Sequence, residues 1–406
     1  VIAILVAALF LPPELQFYAG PIRLDAPRVV LLVVAIPSIL DVLGGAAGGW
    51  RRCDTLMLLW GLWAVLSLLI VHGADRALQF GSSYVLEGFG AYIVARRHIV
   101  DADAFARFAR FAVVIVACFS ILNAIESLTG FNLIRVVASG GAFYSDFGRY
   151  NFHRSYGAFP HPILNGVVCG STLGFAWFQI WKRKPGGTTR WCVIALIIVA
   201  SLASISSGAI VAVAVQFVLL LWERVSRNLP KRWLFLLALL VVGYIAVNGY
   251  SNRKGYEVFI EYLCLDPYTA VGRVIVYEGG MKAIADNPIF GIGFNSWDHP
   301  SWVSDSMDAF WLCIAVQYGL PAFLFLFSGV ASLFLGAMRA VRADARLRPY
   351  AHAWGLSFAG IAVAGLTVHY WSSAFVWLML MIGCCAWISN PRATRSPISP
   401  PVPKPA

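Results

Sequence analysis

Seven basic side chains, Arg135, Arg149, Arg154, Arg253, Lys254, Arg273 and Lys282, gather in two stretches of the chain, residues 129–162 and 250–309. Planar guanidinium groups match phosphate oxygens two at a time, so these stretches carry the donors that a diphosphate needs. The same stretches carry proton acceptors. Asp308 is a candidate base for taking a proton from a hydroxyl, and His299, nine residues upstream, is its rival. Each group also has a plainer reading. The basic residues have Asp146, Glu257, Glu261 and Glu278 nearby as ion-pair partners, and Asp308 stands where it would cap a helix beginning near Phe310. Asp305 and Asp308 lack a third ligand close in sequence, so metal-independent chemistry with no cofactor is the expectation. CxxC, HExxH and GxxxxGK[ST] are all missing, which removes the usual anchors of zinc hydrolysis and nucleotide use. The Gly-rich Gly291-Ile-Gly293 follows a proline and not a strand, so it does not read as a dinucleotide fingerprint.

What positions these groups is a membrane domain. Of 406 residues, 59% are hydrophobic and 13% charged, half the charge of an ordinary soluble domain at about 25%. Twelve apolar spans are predicted: 1–11, 29–43, 56–71, 78–95, 108–128, 163–181, 191–205, 209–222, 233–247, 310–337, 351–368 and 372–388. The first is read as the remainder of a helix whose start is trimmed, with a signal peptide as the alternative. Placing both termini in the cytoplasm puts 21 of the 31 Lys and Arg residues on the inner side, as the positive-inside rule requires. The net charge of +11 then reflects orientation and contact with membrane lipid, and gives no reason to expect nucleic-acid binding. Residues 1–390 thus read as one integral domain, all-α, with periplasmic loops at about 129–162 and 250–309 and a helix near 270–285 in the second. A Pro-rich, unstructured cytoplasmic tail is expected over 391–406.

Glu87 and Glu126 fall inside predicted spans, where an ionisable group is a functional suspect; for Glu126, near a helix end, reaching out to the surface is the equal alternative. The fifteen Trp suit interfacial belts. Eight Cys offer no disulfide framework, since only Cys264 is clearly on the outside.

Two strings carry a resemblance. Arg154-Ser-Tyr-Gly157-Ala-Phe159-Pro-His-Pro162-Ile-Leu-Asn165-Gly166 resembles the R-x-x-G-x-F-x-x-P-N-x-x-G entry to a membrane helix in the O-antigen ligase and polymerase superfamily. Gly272-Arg273, an amphipathic helix, then Asn287-Pro288-Ile-Phe-Gly291-Ile-Gly293-Phe is similar to that family's large periplasmic loop. Asp308-Ala-Phe-Trp-Leu312 followed by Gly319-Leu-Pro321 has the spacing of its H-N-x-x-L … G-l-x-G element.

The resemblance implies a GT-C-like inner-membrane glycosyltransferase. Its donor would be a polyprenyl (undecaprenyl) diphosphate-linked oligosaccharide, and its acceptor a glycan or the lipid A core. By position Arg154 and Arg273 match the diphosphate-holding arginines, with Lys282 as a further cation. Asp308 stands where ligases have the catalytic His, and Ser206-Ser207-Gly208 where many members have Ser-Arg-Gly. Both departures tilt the reading from O-antigen ligase toward O-antigen or exopolysaccharide polymerase. His153, His161 and His369 are candidates for sugar hydrogen bonds, and Trp297, Trp302 and Trp311 for stacking on sugar faces. The alternatives are a transporter of lipid-linked or soluble solute, which predicts buried polar residues and internal symmetry, and an inactive scaffold.

Overall fold

The computed structural model of the chain describes residues 1–20, 22–141, 143–145, 147–178 and 187–390. Asp146 and the tail expected over 391–406 lie outside the described residues. Every apolar segment picked from the sequence carries a helix. The chain opens with α1 (Ile2–Leu9), a hairpin of β1 (Gln16–Ala19) and β2 (Ile22–Asp25), α2 (Ala26–Leu43) and α3 (Arg52–His72). Residues 74–98 form one helical stretch: α4 (Ala74–Arg76), α5 (Ser82–Val85) and α6 (Ala91–His98), joined by π-wound turns at Ala77–Gly81 and Leu86–Gly90. α7 (Ala102–Thr129) rises to the first long loop, which holds α8 (Leu133–Ser139) and the short pair β3 (Phe147–Arg149) and β4 (Phe152–His153).

Four helices follow: α9 (Pro162–Ser171), α10 (Leu173–Phe178), α11 (Gly187–Leu202) and α12 (Ser207–Val225). α13 (Arg232–Tyr250) leads to the second long loop, which contains α14 (Gly255–Leu263) and α15 (Pro267–Asp286). The helix expected there is present, and it starts earlier because Asp266 accepts from Thr269 N at 2.9 Å with Pro267 at the first helical position. α16 (Phe310–Ala343), α17 (Arg348–Ala364) and α18 (Ser373–Gly383) complete the fold.

An all-α membrane architecture stands, but the expected twelve crossings do not all have spanning dimensions. Six helices, α2, α3, α7, α12, α13 and α16, are long and apolar enough to cross a bilayer. Shorter apolar helices occupy Pro162–Phe178, Gly187–Leu202 and Ser373–Ser389. Hydropathy reads the apolar runs; it does not see the π turns, the break at Thr172 or the 3-10 ending of the last segment, each of which shortens a helix.

Burial separates two kinds of apolar helix. Every residue of α18 is buried, so this helix is the centre of the bundle, while no residue of α13 is buried and lipid must be its solvent. The belt expected for tryptophan is corrected by Trp60, Trp354, Trp377 and Trp387, which are core side chains. Two of them satisfy their N–H there: Trp377 donates to Ser171 Oγ at 2.8 Å and Trp354 to Met381 O at 2.7 Å.

Two ion pairs, one fully buried and one partly, tie the N-terminal helices. Arg96 meets Asp54 at 3.1 Å, with Tyr92 Oη donating to the same carboxylate and the guanidinium spanning Ala47 O and Gly49 O. Glu87, suspected of function, instead pairs with Arg28 at 2.7 Å from within a π-wound turn.

Candidate functional site

The first motif is a braced turn. Gly157 takes φ +53, and a Cβ there would lie 2.8 Å from both Asn123 Oδ1 and Asn165 Oδ1, so only glycine fits. Asn165 Nδ2 donates to Ser155 O at 3.1 Å and Asn132 Nδ2 to Gly157 O at 2.9 Å. The strongest brace is Glu126, 1% exposed at the end of α7. Its carboxylate accepts from Ser155 Oγ at 2.8 Å, Tyr156 N at 3.0 Å and Gly157 N at 2.9 Å. Far from reaching out to the surface, Glu126 fixes the turn that begins at Arg154. His161 ends the turn by capping α9, its Nδ1 accepting from Ile163 N at 3.2 Å, and Pro162 fills the first helical position.

The second motif is a backbone clasp. Ile292 N donates to Val316 O at 2.8 Å, Gly293 N to Gln317 O at 3.0 Å and Leu320 N to Pro288 O at 2.8 Å. This clasp requires a break in α16, and Gly319 supplies it with φ +82; a Cβ there would sit 1.9 Å from Ile289 O. Ser67 Oγ donates to Phe290 O at 2.5 Å and His72 Nε2 accepts from Phe294 N at 2.7 Å, tying the same loop to α3. The motif residues therefore act as a joint between α15 and α16, and do not themselves present chemistry.

Between the two motifs lies the turn from α11 into α12. Ser155 N donates to Ala203 O at 3.0 Å and Arg154 Nε to Ser204 O at 3.4 Å, so the first loop rests on one side of it. Leu265 N donates to Ser207 Oγ at 2.9 Å, so the second loop rests on the other. Beside Leu265, Cys264 Sγ accepts from Arg273 Nη1 at 3.0 Å. Arg154 thus bonds to this turn from the first loop, while Arg273 bonds to Cys264, next to the second-loop residue that does so.

Their neighbours have found carboxylates. Arg253 pairs with Glu261, Lys254 with Glu278 at 3.8 Å, Arg135 with Glu14 at 3.5 Å and Lys282 with Asp298 at 2.6 Å. Arg273 has not. It is 6% exposed, has no acidic partner among the described residues, and its Nε has no hydrogen-bond partner. Lys282 is nine residues further along α15, half a helical turn out of phase with Arg273, and is largely exposed.

Asp308 is not spent as a helix cap: α16 is capped at Ala309 without a side-chain bond, and Asp308 Oδ1 accepts from Ser306 Oγ at 2.9 Å. Phe310, two residues on, donates its N–H to Val368 O at 3.0 Å and packs against the His369 ring at a 6.4 Å centroid separation. Trp371 stands between His369 at 5.9 Å and His161 at 6.0 Å. Two imidazoles from separate elements therefore gather beside Asp308. Burial pushes His369 down to about 4, with the Asp308 charge opposing. Burial and then Arg154 lower His161, again opposed by Asp308. Both rings are neutral at pH 7.

His299 is held otherwise. Its Nδ1 faces Pro300 O at 3.0 Å and its Nε2 faces Asp305 Oδ1 at 2.8 Å, an arrangement that suits an imidazolium donating from both nitrogens. The Pro300 carbonyl and then Asp305 raise it accordingly. Trp297 is buried, its N–H on Asp305 O at 3.1 Å, while Trp302 is 51% exposed beside Tyr268. His369 and Ser206 join the site without having stood among the leading residues of the sequence. An outward His and a helix-starting Ser were legible, but which loop would lie against them was not.

Residues 192–327 match the family model described as O-antigen ligase, which supports the O-antigen ligase and polymerase superfamily. The matched segment takes in Ser206, Arg273 and Asp308, and leaves the Arg154 turn and His369 outside it. No curated protein matches the chain. With the apolar helices, the match points to a multi-pass inner-membrane enzyme of O-antigen ligase type, whose family acts on a lipid-linked glycan and an acceptor.

Proposed function

We propose that the protein is a glycosyltransferase that takes an oligosaccharide from a polyprenyl diphosphate at the periplasmic face and joins it to a hydroxyl of a growing glycan. The observation that carries this reading is Arg273, a buried guanidinium with a thiol for its hydrogen-bond partner and no carboxylate among the described residues. A buried charge without a counter-ion is costly, and an anionic ligand relieves it. Arg154, bonded to Ser204 O in the turn before α12, supplies the second cation.

In the reaction the acceptor oxygen bonds to the anomeric carbon, the bond from that carbon to the phosphate oxygen breaks, and polyprenyl diphosphate leaves with the electron pair. Arg154 and Arg273 stabilise the charge that develops on it. Asp308 takes the acceptor's proton, its carboxylate being free of helix capping. His299, with both nitrogens turned to acceptors, suits a loop clamp better than a base. Replacement of the family's loop His by Asp308 and of its Arg by Ser207 favours polymerisation over ligation to the lipid A core.

The test uses the purified protein, a polyprenyl diphosphate-linked oligosaccharide and a hydroxyl acceptor, reading release of polyprenyl diphosphate and growth of the glycan. Arg273→Ala should lower turnover by about 10²- to 10³-fold; unaltered turnover rejects the diphosphate role. Transfer is read as metal-independent, so loss in EDTA with recovery on adding a divalent cation would overturn that part. Deleting the gene separates the two outcomes: single repeats left on lipid A indicate polymerase, and uncapped lipid A with intact polymer indicates ligase.

A further inference from the structure

Cys264 occupies the joint between α14 and α15, as the C-terminal cap of the first and two residues before the Asp266 cap of the second. Its neighbour Leu265 is bonded to Ser207 Oγ at 2.9 Å, which fixes the joint in place. Side chains lean toward the N-terminus of their helix, so Arg273, in the second turn of α15, reaches back to this joint. Its Nη1 donates to Cys264 Sγ at 3.0 Å. Sulfur is a weak acceptor, and a thiol brings no negative charge. Arg273 is nevertheless 6% exposed, with no hydrogen-bond partner at Nε and no carboxylate paired with it among the described residues. The thiol is half-buried and so within reach of small solutes, and all eight cysteines are free of disulfides. It also lies in the loop that the charge bias assigns to the periplasm.

We infer that Cys264 is a modification site, oxidised by a hydroperoxide to a sulfinate that becomes the counter-ion of Arg273. The thiolate, its proton gone to water, attacks the peroxide: an S–O bond forms, the O–O bond breaks and sulfur gives up two electrons. The departing hydroxide or alkoxide recovers a proton as water or alcohol, and a sulfenic acid remains. A second hydroperoxide adds the second oxygen in the same way and is likewise reduced. The sulfinic acid loses its proton to water, and its two oxygens and negative charge are what a guanidinium takes side by side. Partly exposed thiols in electropositive surroundings are the ones that oxidise. The consequence for transfer rests on the glycosyltransferase reading: with a fixed anion beside it, Arg273 no longer draws a diphosphate, so oxidation closes the donor site. Thiols reverse the sulfenic stage but not the sulfinic one.

The full-length protein in detergent is treated with hydrogen peroxide and followed by peptide mass spectrometry, thermal unfolding and binding of inorganic pyrophosphate. Cys264 should gain two oxygens at least about ten times faster in the wild type than in Arg273→Gln, with Arg273→Lys between them. Treated wild-type protein should unfold at a higher temperature than untreated, because a buried charge has gained its partner; Cys264→Ser should show no such rise. Treatment should weaken pyrophosphate by at least about tenfold in the wild type and leave it unchanged in Cys264→Ser. A thiol that survives treatment, or that oxidises as fast in Arg273→Gln, overturns the modification. Should Arg273→Gln not fold, the comparison with Cys264→Ser still decides. A sulfinate that forms without raising the unfolding temperature overturns the pairing with Arg273. If untreated protein binds no pyrophosphate while the sulfinate forms and raises the unfolding temperature, the diphosphate reading fails and the modification stands. Undiminished pyrophosphate binding after full conversion overturns the closure of the site.

Discussion

Replacing Glu126 by leucine leaves Ser155 Oγ, Tyr156 N and Gly157 N facing an apolar side chain in place of a carboxylate that accepts at 2.8, 3.0 and 2.9 Å. Each stranded donor costs about 1–3 kcal/mol, and the three share one turn, so their sum is sub-additive, roughly 3–6 kcal/mol. Relief from burying a carboxylate offsets part of this, leaving about 2–4 kcal/mol. The loss is local to the turn that begins at Arg154 and ends at His161, so function should suffer more than the fold. We expect a lower melting temperature in detergent, and glycan transfer reduced by at least about tenfold at saturating acceptor. Glu126→Gln, which keeps one acceptor oxygen, should fall between wild type and Glu126→Leu. A leucine variant with wild-type melting and wild-type turnover would falsify the brace, since no arrangement of leucine can replace the three acceptor contacts.

Other outcomes are open to measurement. Asp308→Asn should lower transfer by about 10²- to 10⁴-fold with pyrophosphate affinity within about twofold of wild type; retained transfer removes Asp308 as the base. Gly319→Ala places a methyl group 1.9 Å from Ile289 O at φ +82, so the clasp cannot close, and failure to purify folded protein is expected where Gly243→Ala in α13, whose added methyl group meets nothing within 4 Å, is tolerated. The His299–Asp305 clamp should depend on pH. His299 is raised above its ordinary 6.5, so its contribution is complete below that value and is lost as pH climbs through the raised one. Asp305 is depressed, so its share is lost only in acid, as pH falls through its lowered value. Hydrogen-exchange protection factors across 296–306 should therefore decline on going from mildly acidic to alkaline pH, and His299→Gln should flatten the profile.

Hydropathy and charge bias were enough to find where helices form, because lipid demands apolar runs and translocation disfavours Lys and Arg. Helix dimensions were harder to read, since π turns at Ala77–Gly81 and Leu86–Gly90 and the α16 break at Gly319 arise from contacts made across the bundle. Arg154 and Arg273 were legible as cations of the two long loops; Arg154 bonds to the turn before α12, and Arg273 to Cys264, next to the residue that bonds to that turn. Lys282 and His299 looked equal to them in sequence, yet each sits beside an acidic residue, Asp298 and Asp305, that the chain folds onto it. Composition says nothing of such pairings. Nor could spacing show that Glu126, near the end of an apolar helix, would receive three donors from a loop some thirty positions later.

The absence of any buried residue in α13 separates how it is selected from how its neighbours are. A rod wetted by hydrocarbon on nearly all sides is judged on length and greasiness alone, so its letters can be shuffled freely where a single methyl on α18 would be felt. It also means that the loop carrying Arg273 enters from a mast standing in fluid, and takes its anchorage from its own bonds to the bundle, at Leu265, at Tyr277 and at the clasp before α16.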